Sequence, residues 1–280
     1  HDTAGFRSSM VYGYLRNNEF ARGVQLLRSM IAARMHLDKF TLTSVISACG
    51  SNGSLNLGEQ IHCITLKIGH QFDAFMCSSL IELYAKCGCL DGARVIFQQH
   101  KNTLNVVLWT AIICGCAFNG EGMEAIELYN QMIEMNITPN EITFLGVLTA
   151  CSHSGMLEEA MIYFHQMKTD LEIDPGVDHY TCMVDAFGRA GRLKEAKRFI
   201  VEHGLHRLPT VWNSFSTFCR LYKDDEMLKW VSEMMAKSEV HDEIHHSPSS
   251  NSCIIPERGK IFAGKSWVLL NDPFHGSFQR

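Results

Sequence analysis

The chain has 280 residues, of which 46% are hydrophobic and 20% charged, and its formal net charge is −5. This composition is that of a folded globular protein and argues against disorder. No uncharged apolar run reaches the 18 residues of a membrane-spanning helix, and an acidic total charge gives no electrostatic footprint for nucleic acid.

Three columns of residues repeat along the chain. Glycines placed to end a helix recur at intervals of 35, 32, 35 and 36 residues. Five residues after each glycine stands a small residue, and seven or eight residues before it stands an apolar pair. The glycines are Gly53, Gly88, Gly120, Gly155 and Gly191, and the small residues are Gly58, Ala93, Ala125, Ala160 and Ala196. The shared spacing predicts an array of helical hairpins, each of which packs on its neighbours.

This spacing divides the chain into consecutive blocks. In chain order they are 4–38, 39–73, 74–105, 106–140, 141–176 and 177–208. The first block is imperfect, because Asn18 stands where the glycine belongs and Gly23 fills the small-residue column. Within 106–140 we expect helices at 109–118 and 123–135, since apolar residues recur there every three or four positions.

The pattern weakens after residue 208. A seventh unit begins at Pro209, but Lys223 replaces its glycine and Leu228 its small residue. From 240 to 252 the composition shifts to His, Ser and Pro, which predicts a linker. Beyond it, two short apolar segments flank a turn at 256–259 and predict a small β-hairpin.

These blocks resemble the pentatricopeptide repeats of plants. Tetratricopeptide repeats share a period near 34, but these blocks lack that family's first-helix Trp and Gly. The strings "LIELYAKCGCLDGARVIF" and "HYTCMVDAFGRAGRLKEA" match pentatricopeptide repeats closely. Block lengths resemble P, L and S repeats, in the order P, L, S, P, L, S. The resemblance implies an all-α solenoid, with a degenerate E-like motif at 209–242, a linker and E+-like tail at 243–280, and no DYW deaminase domain.

The resemblance also implies how RNA would be read, one base per repeat, by the fifth and last residues of a block. In the family, Ser or Thr with a last Asn favours adenine, and with a last Asp favours guanine. The guanine pairs are Ser8/Asp38 and, weakly because L repeats read poorly, Thr43/Asp73, while the adenine pairs are Ser78/Asn105 and Thr110/Asn140. Leu145/Gly176 is expected to be silent, and Thr181 faces Leu208 where the family has Asp.

Two further columns carry family roles. Apolar residues at the second position wedge between bases, and cations at the thirteenth position contact phosphate. The wedging residues would be Phe40, Phe75, Val107 and Ile142, with Asp178 in that place in the last repeat, and the cations would be Arg16, Lys86 and Arg189. Simpler roles remain open: the Ser and Thr residues as helix N-caps, Phe40 and Phe75 as inter-repeat core, and the cations as solvated surface.

Catalytic motifs are incomplete. His241-Asp242-Glu243 matches the H-x-E of zinc deaminases, but the P-C-x-x-C that this chemistry requires is missing. The pairs Cys87/Cys89 and Cys114/Cys116 lack a second ligand pair at zinc spacing, so core packing is favoured over metal binding. The 11 cysteines show no disulfide spacing and predict free thiols in a reducing compartment. We expect no enzyme, no cofactor and no metal.

The hypothesis is therefore a binder of single-stranded RNA that recognises a C-to-U editing site in a mitochondrion or chloroplast, with the mitochondrion slightly favoured. A DYW-type deaminase and small organellar editing cofactors would act in trans through 209–267, without a membrane. Two alternatives stay open: an RNA splicing or stability factor, and a protein-interaction scaffold without RNA binding, which the isoelectric point near 6.3 favours. Six repeats are few for a unique transcript address, so we expect further repeats upstream.

Overall fold

A computed structural model describes residues 3–68, 73–103 and 105–242 of the chain. These residues form fourteen α-helices and two 3₁₀ helices, and none of the residues described lies in a strand. The β-hairpin and E+-like tail predicted within 243–280 lie outside the described residues. The chain divides into two compact units, His1–Pro139 and Asn140–Arg280.

The first unit contains four helical hairpins, each with a first helix, here called its A helix, and a second, its B helix. The A helices are α1 (Thr3–Arg16), α3 (Lys39–Ser51), α5 (Ala74–Lys86) and α7 (Val106–Phe118). The B helices are α2 (Phe20–Ala32), α4 (Leu55–Ile68), α6 (Leu90–His100) and α8 (Gly122–Glu134). A 3₁₀ turn, Lys101–Thr103, follows α6.

The second unit contains three hairpins of the same kind. Its A helices are α9 (Glu141–His153), α11 (Val177–Arg189) and α13 (Pro209–Leu221), and its B helices are α10 (Leu157–Thr169), α12 (Leu193–Glu202) and α14 (Asp225–Asp242). A second 3₁₀ turn, Leu205–Arg207, precedes α13. Among the described residues, no helix is both long and apolar enough to cross a bilayer.

The A helices form the core of each unit. In the first unit α1 packs on α3, α3 on α5 and α5 on α7, and in the second α9 packs on α11 and α11 on α13. Helix α7 shows the result, since Leu108 to Ile113 are all buried and Val107 is its one exposed residue. Each B helix instead buries one face against its own A helix.

The small-residue column packs against A helices, either of the same hairpin, as Gly23 does against Leu15, or of the next hairpin, as Gly58 does against Leu83. Ala93, Ala125, Ala160 and Ala196 have no exposed surface. At Gly58 an added Cβ would lie 2.5 Å from the side chain of Leu83. A larger residue in this column would overpack the contact, which explains the spacing.

A left-handed residue joins each A helix to its B helix. The five glycines of the repeat pattern have φ between 63° and 81°. Asn18, with φ 60°, and Lys223, with φ 55°, adopt the same conformation without being glycine. The seventh unit has neither the glycine nor the small residue of the pattern, yet α13 and α14 form a complete hairpin around Lys223.

The helix bounds in 106–140 also differ from the expected ones. Helix α7 begins at Val106, three residues before the predicted start, because the Asn105 side chain accepts a hydrogen bond from the Val107 amide and caps the helix. Helix α8 covers Gly122–Glu134, one residue earlier than predicted at both ends.

Candidate nucleic-acid interface

The last residue of four predicted blocks caps the A helix that follows. Asp38 accepts from the Thr41 amide at 2.8 Å, Asp73 from the Met76 amide at 3.0 Å, Asn105 from the Val107 amide at 2.9 Å and Asn140 from the Thr143 amide at 2.9 Å. Each side chain satisfies a backbone donor that the helix itself leaves unpaired. These four predicted base-reading residues therefore have a structural role as well.

The Ser and Thr residues at the fifth position are not N-caps, so that alternative is wrong. They lie one turn inside the A helix, and their residues are 4–8% exposed. Thr43 donates to the Lys39 carbonyl at 3.0 Å, Ser78 to the Phe75 carbonyl at 3.0 Å and Thr181 to the Val177 carbonyl at 2.9 Å. A hydroxyl that donates in this way keeps oxygen lone pairs with which to accept from a ligand.

The structure brings together the first predicted pair, Ser8 and Asp38. Burial raises the pKa of Asp38, but the close approach of the Ser8 hydroxyl and the hydrogen bonds from Thr41 outweigh it and leave the pKa below its usual value. The Ser8 hydroxyl oxygen is buried and falls short of standard hydrogen-bond geometry with any partner. A hydroxyl and a carboxylate thus face each other at the position predicted for guanine.

In the second pair the carboxylate already has a cation partner. The Lys39 ammonium donates to Asp73 Oδ2, and the two side chains are 38% and 49% exposed. Lys39 lies one turn before Thr43, so both share one face of α3. Sequence reasoning did not find this ion pair, which joins residues 34 positions apart at the starts of two successive A helices.

The remaining predicted pairs are less alike. Thr110 is buried on α7, and Asn140 forms a capping box with Thr143 at the start of α9. Gly176 caps α11 without a side-chain bond; its amide donates to His179 Nδ1 at 3.0 Å, so His179 Nε2 carries the proton and donates to the Glu141 carbonyl at 2.9 Å. Leu208 provides no cap for α13.

The second-position residues are exposed. Phe40 is 59% exposed, Phe75 66%, Val107 41% and Ile142 52%. The alternative that Phe40 and Phe75 form inter-repeat core is therefore wrong. The Phe40 ring contacts Tyr12, with the ring centroids 5.0 Å apart and the planes tilted by 50°, while more than half of Phe40 stays exposed. Asp178, in the same column, is half-buried, and burial raises its pKa.

The three predicted phosphate contacts differ in accessibility. Arg16 is exposed and lies 5.5 Å from the Tyr12 ring centroid. Lys86 forms an ion pair with Glu82 at 3.2 Å, and its side chain is 16% exposed. Arg189 is 3.7 Å from Asp185 and lies over the Phe218 ring, while its buried Nε and Nη2 atoms have no hydrogen-bond partner. Among these three, Arg16 is the best placed to meet solvent phosphate.

The cysteines behave as packing residues. All ten that lie in the described residues carry free thiols. Burial raises the pKa of Cys49, Cys114, Cys116, Cys151 and Cys182 to about 12, so these thiols stay protonated near neutral pH. Within the part of the chain that is described, no group of three or more His, Cys, Asp or Glu side chains is arranged to hold a metal ion.

Comparisons with known proteins identify the repeats. A model of the PPR repeat family matches residues 104–153, and a PPR repeat model matches 75–99, 142–170 and 178–202. A mitochondrial pentatricopeptide repeat-containing protein of Arabidopsis thaliana is 40% identical over 218 residues, which cover 77% of this chain and 46% of that protein. A chloroplastic one from the same plant is 32% identical over 278 residues, covering 94% of this chain and 33% of that protein.

Solved structures show the same fold. The crystal structure of the maize pentatricopeptide repeat protein PPR10 aligns with 84% of this chain and 38% of its own length, at a TM-score of 0.52 and 18% identity. The structure of that protein in complex with an 18-nt psaJ RNA element gives a TM-score of 0.54 over 84% of this chain and 40% of its own, at 16% identity. The predicted α-solenoid is thereby confirmed.

The chain spans less than half the length of these relatives. Their names place them in mitochondria or chloroplasts, which supports an organellar location here. With the helical hairpins, the glycine stops and the matches above, this chain belongs to the pentatricopeptide repeat family.

Proposed function

We propose that this chain binds single-stranded RNA with base specificity and recognises the site of C-to-U editing. One observation supports this most: successive A helices combine an exposed apolar residue at the second position with a buried hydroxyl three residues later. Phe40 precedes Thr43, Phe75 precedes Ser78 and Val107 precedes Thr110. Residues three apart share a helix face, so each of these three A helices offers a stacking surface beside a hydroxyl.

The chemistry of the polar pair explains a preference between purines. The Watson–Crick edge of guanine presents two adjacent donors, and a carboxylate accepts from both. The same edge of adenine presents one donor and one acceptor, which an amide matches. The hydroxyl at the fifth position accepts from an amino group with its free lone pairs. An Asp at the end of a block therefore favours guanine and an Asn favours adenine.

Stacking compensates for the acidic charge of the chain. Each base stacked on an aromatic or apolar side chain contributes about 1–3 kcal/mol. Each phosphate neutralised on a single strand contributes a slope of roughly 0.7 in log K against log salt. Because Arg16 is the most accessible of the three candidate cations, we expect a shallow salt dependence, with binding energy dominated by the bases.

The proposed editing role rests on the order of repeats. The P, L, S, P, L, S arrangement and the E-like motif at 209–242 are features of editing factors that recruit a DYW-type deaminase and small organellar cofactors in trans. If the last S repeat lies four nucleotides 5′ of the edited cytidine, adenine is preferred at −6 and −7 and guanine at −9. Of the two organelles, we favour the mitochondrion.

The substitution Asn105→Asp tests base recognition without removing a helix cap. Asp and Asn are equally good N-caps, so α7 should stay intact. Fluorescence anisotropy with short RNAs that differ only at −7 should show the preference change from adenine to guanine, by about fivefold or more, as expected for a hydrogen-bonding difference near 1 kcal/mol. Gln131→Glu, at an exposed position of the B helix α8, adds the same charge outside the predicted base-reading columns and serves as the control.

Two outcomes would contradict the proposal. Equal affinity for all four bases at −7, in the wild type and in Asn105→Asp, would remove base specificity. No RNA binding at all, with protein partners retained after nuclease treatment, would favour the scaffold alternative. Transcript profiling of a loss mutant separates editing from splicing or stability, since loss of editing at single cytidines without intron retention is expected.

A further inference from the structure

We propose that Lys39 controls base reading by the second hairpin, because its ammonium occupies the Asp73 carboxylate that would otherwise contact RNA. This inference rests on the proposed function and adds a specificity-determining residue to it. Nothing in the two-residue reading scheme involves the first residue of a block, where Lys39 stands.

The first two hairpins form a natural comparison. Both combine a hydroxyl with a carboxylate, Ser8 with Asp38 and Thr43 with Asp73. The residue four positions before the hydroxyl is Ala4 in the first hairpin and Lys39 in the second. Ala4 stands 34 positions before Asp38, and Lys39 stands 34 positions before Asp73, with which it forms its ion pair. Ala4 and Lys39 therefore stand at equivalent positions relative to the hydroxyl and the carboxylate. Of the two, only Lys39 is a cation that can pair with the carboxylate.

The partners of the two carboxylates differ in charge. Asp38 accepts from the Thr41 amide at 2.8 Å and from the Thr41 hydroxyl at 2.9 Å, both neutral donors. Asp73 accepts from the Met76 amide at 3.0 Å through Oδ1, and from the Lys39 ammonium through Oδ2. Among the described residues no cation pairs with Asp38, so its negative charge remains available to a guanine edge.

The ion pair weakens base reading without preventing it. With the Lys39 side chain 38% exposed and the Asp73 side chain 49% exposed, water screens the attraction. RNA must displace or share the ammonium before both carboxylate oxygens can accept from guanine. Exposed ion pairs of this kind change equilibria by about two- to fivefold. We therefore expect a weakened guanine preference at the second hairpin compared with the first.

Exchanging the first residues of the two blocks tests this inference. Lys39→Ala should raise the preference for guanine over adenine at −8 by about two- to fivefold, the change expected from losing an exposed ion pair. Ala4→Lys should lower the guanine preference at −9 by a similar factor. Neither substitution removes an N-cap bond, since Oδ1 of both Asp residues accepts from a backbone amide. Lys39→Met, which keeps most of the aliphatic side chain but has neither the charge nor a donor, should behave as Lys39→Ala.

The adenine preference at −7, set by Ser78 and Asn105, is the internal reference. It should be the same in every variant, and circular dichroism should show equal helix content. If Lys39→Ala instead weakens all RNAs equally and reduces the salt slope by about 0.7, Lys39 contacts phosphate and the inference is wrong. If the protein prefers adenine at −7 but Lys39→Ala leaves the guanine preference at −8 unchanged, Lys39 does not influence base reading and the proposed function stands. If the wild type binds no RNA, both fail.

Discussion

The last hairpin, α13–α14, differs from the five hairpins with glycine stops at three positions that the repeat pattern otherwise defines. Lys223 replaces the left-handed glycine, Leu228 replaces the fully buried alanine, and Leu208 replaces the capping Asp or Asn found before α3, α5, α7 and α9. The hairpin nevertheless forms, with helices of 13 and 18 residues.

Aromatic packing replaces the small-residue column in this hairpin. Trp230 of α14 lies 5.4 Å from the Trp212 ring and 6.0 Å from the Phe215 ring of α13, and the Lys197 ammonium lies 4.6 Å from its ring centroid. Pro209 at the start of α13 removes one backbone donor that would need a cap. The comparison shows that this type of hairpin can be held together in two ways: by the small residues of the repeat pattern, or by large aromatic side chains at other positions.

The largest expected effect comes from removing that replacement. Trp230→Ala should destabilise α13 and α14 by about 3 kcal/mol, because the indole packs on two aromatic rings. Urea unfolding with hydrogen exchange of both helices measures the loss. Leu221→Ala, at a side chain that is 56% exposed, is the control and should cost less than about 1 kcal/mol. Equal costs for the two variants would show that aromatic packing does not hold this hairpin.

Next in size is the contact of the last hairpin with α11. A Cβ added at Gly188 would lie 2.1 Å from the Phe218 ring, so Gly188→Ala should destabilise the protein by about 1–3 kcal/mol. Thermal unfolding measures it. Gly13→Ala, where nothing lies within 4 Å, is the matched control and should stabilise α1 by about 0.5–1 kcal/mol. A stabilising Gly188→Ala would mean that the ring moves away without cost.

The left-handed stops give a smaller, opposite pair of effects. Lys223→Gly should stabilise the last hairpin by up to about 1 kcal/mol. A left-handed residue with a Cβ costs about 1–2 kcal/mol, and removing this cost is partly offset because glycine loses more conformational entropy on folding. Gly120→Ala, at φ 81°, should cost a similar amount. Denaturant midpoints measure both. Loss of stability in Lys223→Gly would show that the lysine side chain, not its backbone, matters.

The smallest effect tests the capping Asp residues that α13 lacks. Because the folded pKa of Asp38 lies below its unfolded value near 3.8, its ionised form stabilises the protein above that pH, and this contribution is lost as the pH falls through the lower folded value. Asp38→Asn keeps the cap but does not titrate. Acid unfolding should therefore be shallower in the variant, and identical acid limbs would contradict the prediction.

Much of the architecture followed from the sequence. The glycine at one position and the small residue five positions later are dictated by local sterics, and such constraints are visible in a repeating sequence. The weakened repeat pattern did not indicate that Lys223, at φ 55°, joins two complete helices, since a left-handed conformation is disfavoured for its residue type.

For the candidate site, sequence position indicated which residues to examine but not what they contact. The pairing of Ser8 with Asp38 was predicted, whereas the capping by Asp73 and Asn105 and the ion pair of Lys39 were not. A cap depends on local backbone direction, and an ion pair between residues 34 apart depends on how one A helix lies on the next.

The sequence by itself determined that this protein is a repeat of helical hairpins, because a steric requirement at each turn leaves a residue type at a fixed interval. The tertiary structure alone decided which side chains stay exposed, as Phe40 and Phe75 do, and which carboxylates pair with a cation, as Asp73 does with Lys39. Exposure and charge pairing depend on neighbouring helices that are distant in sequence, and no local pattern encodes them.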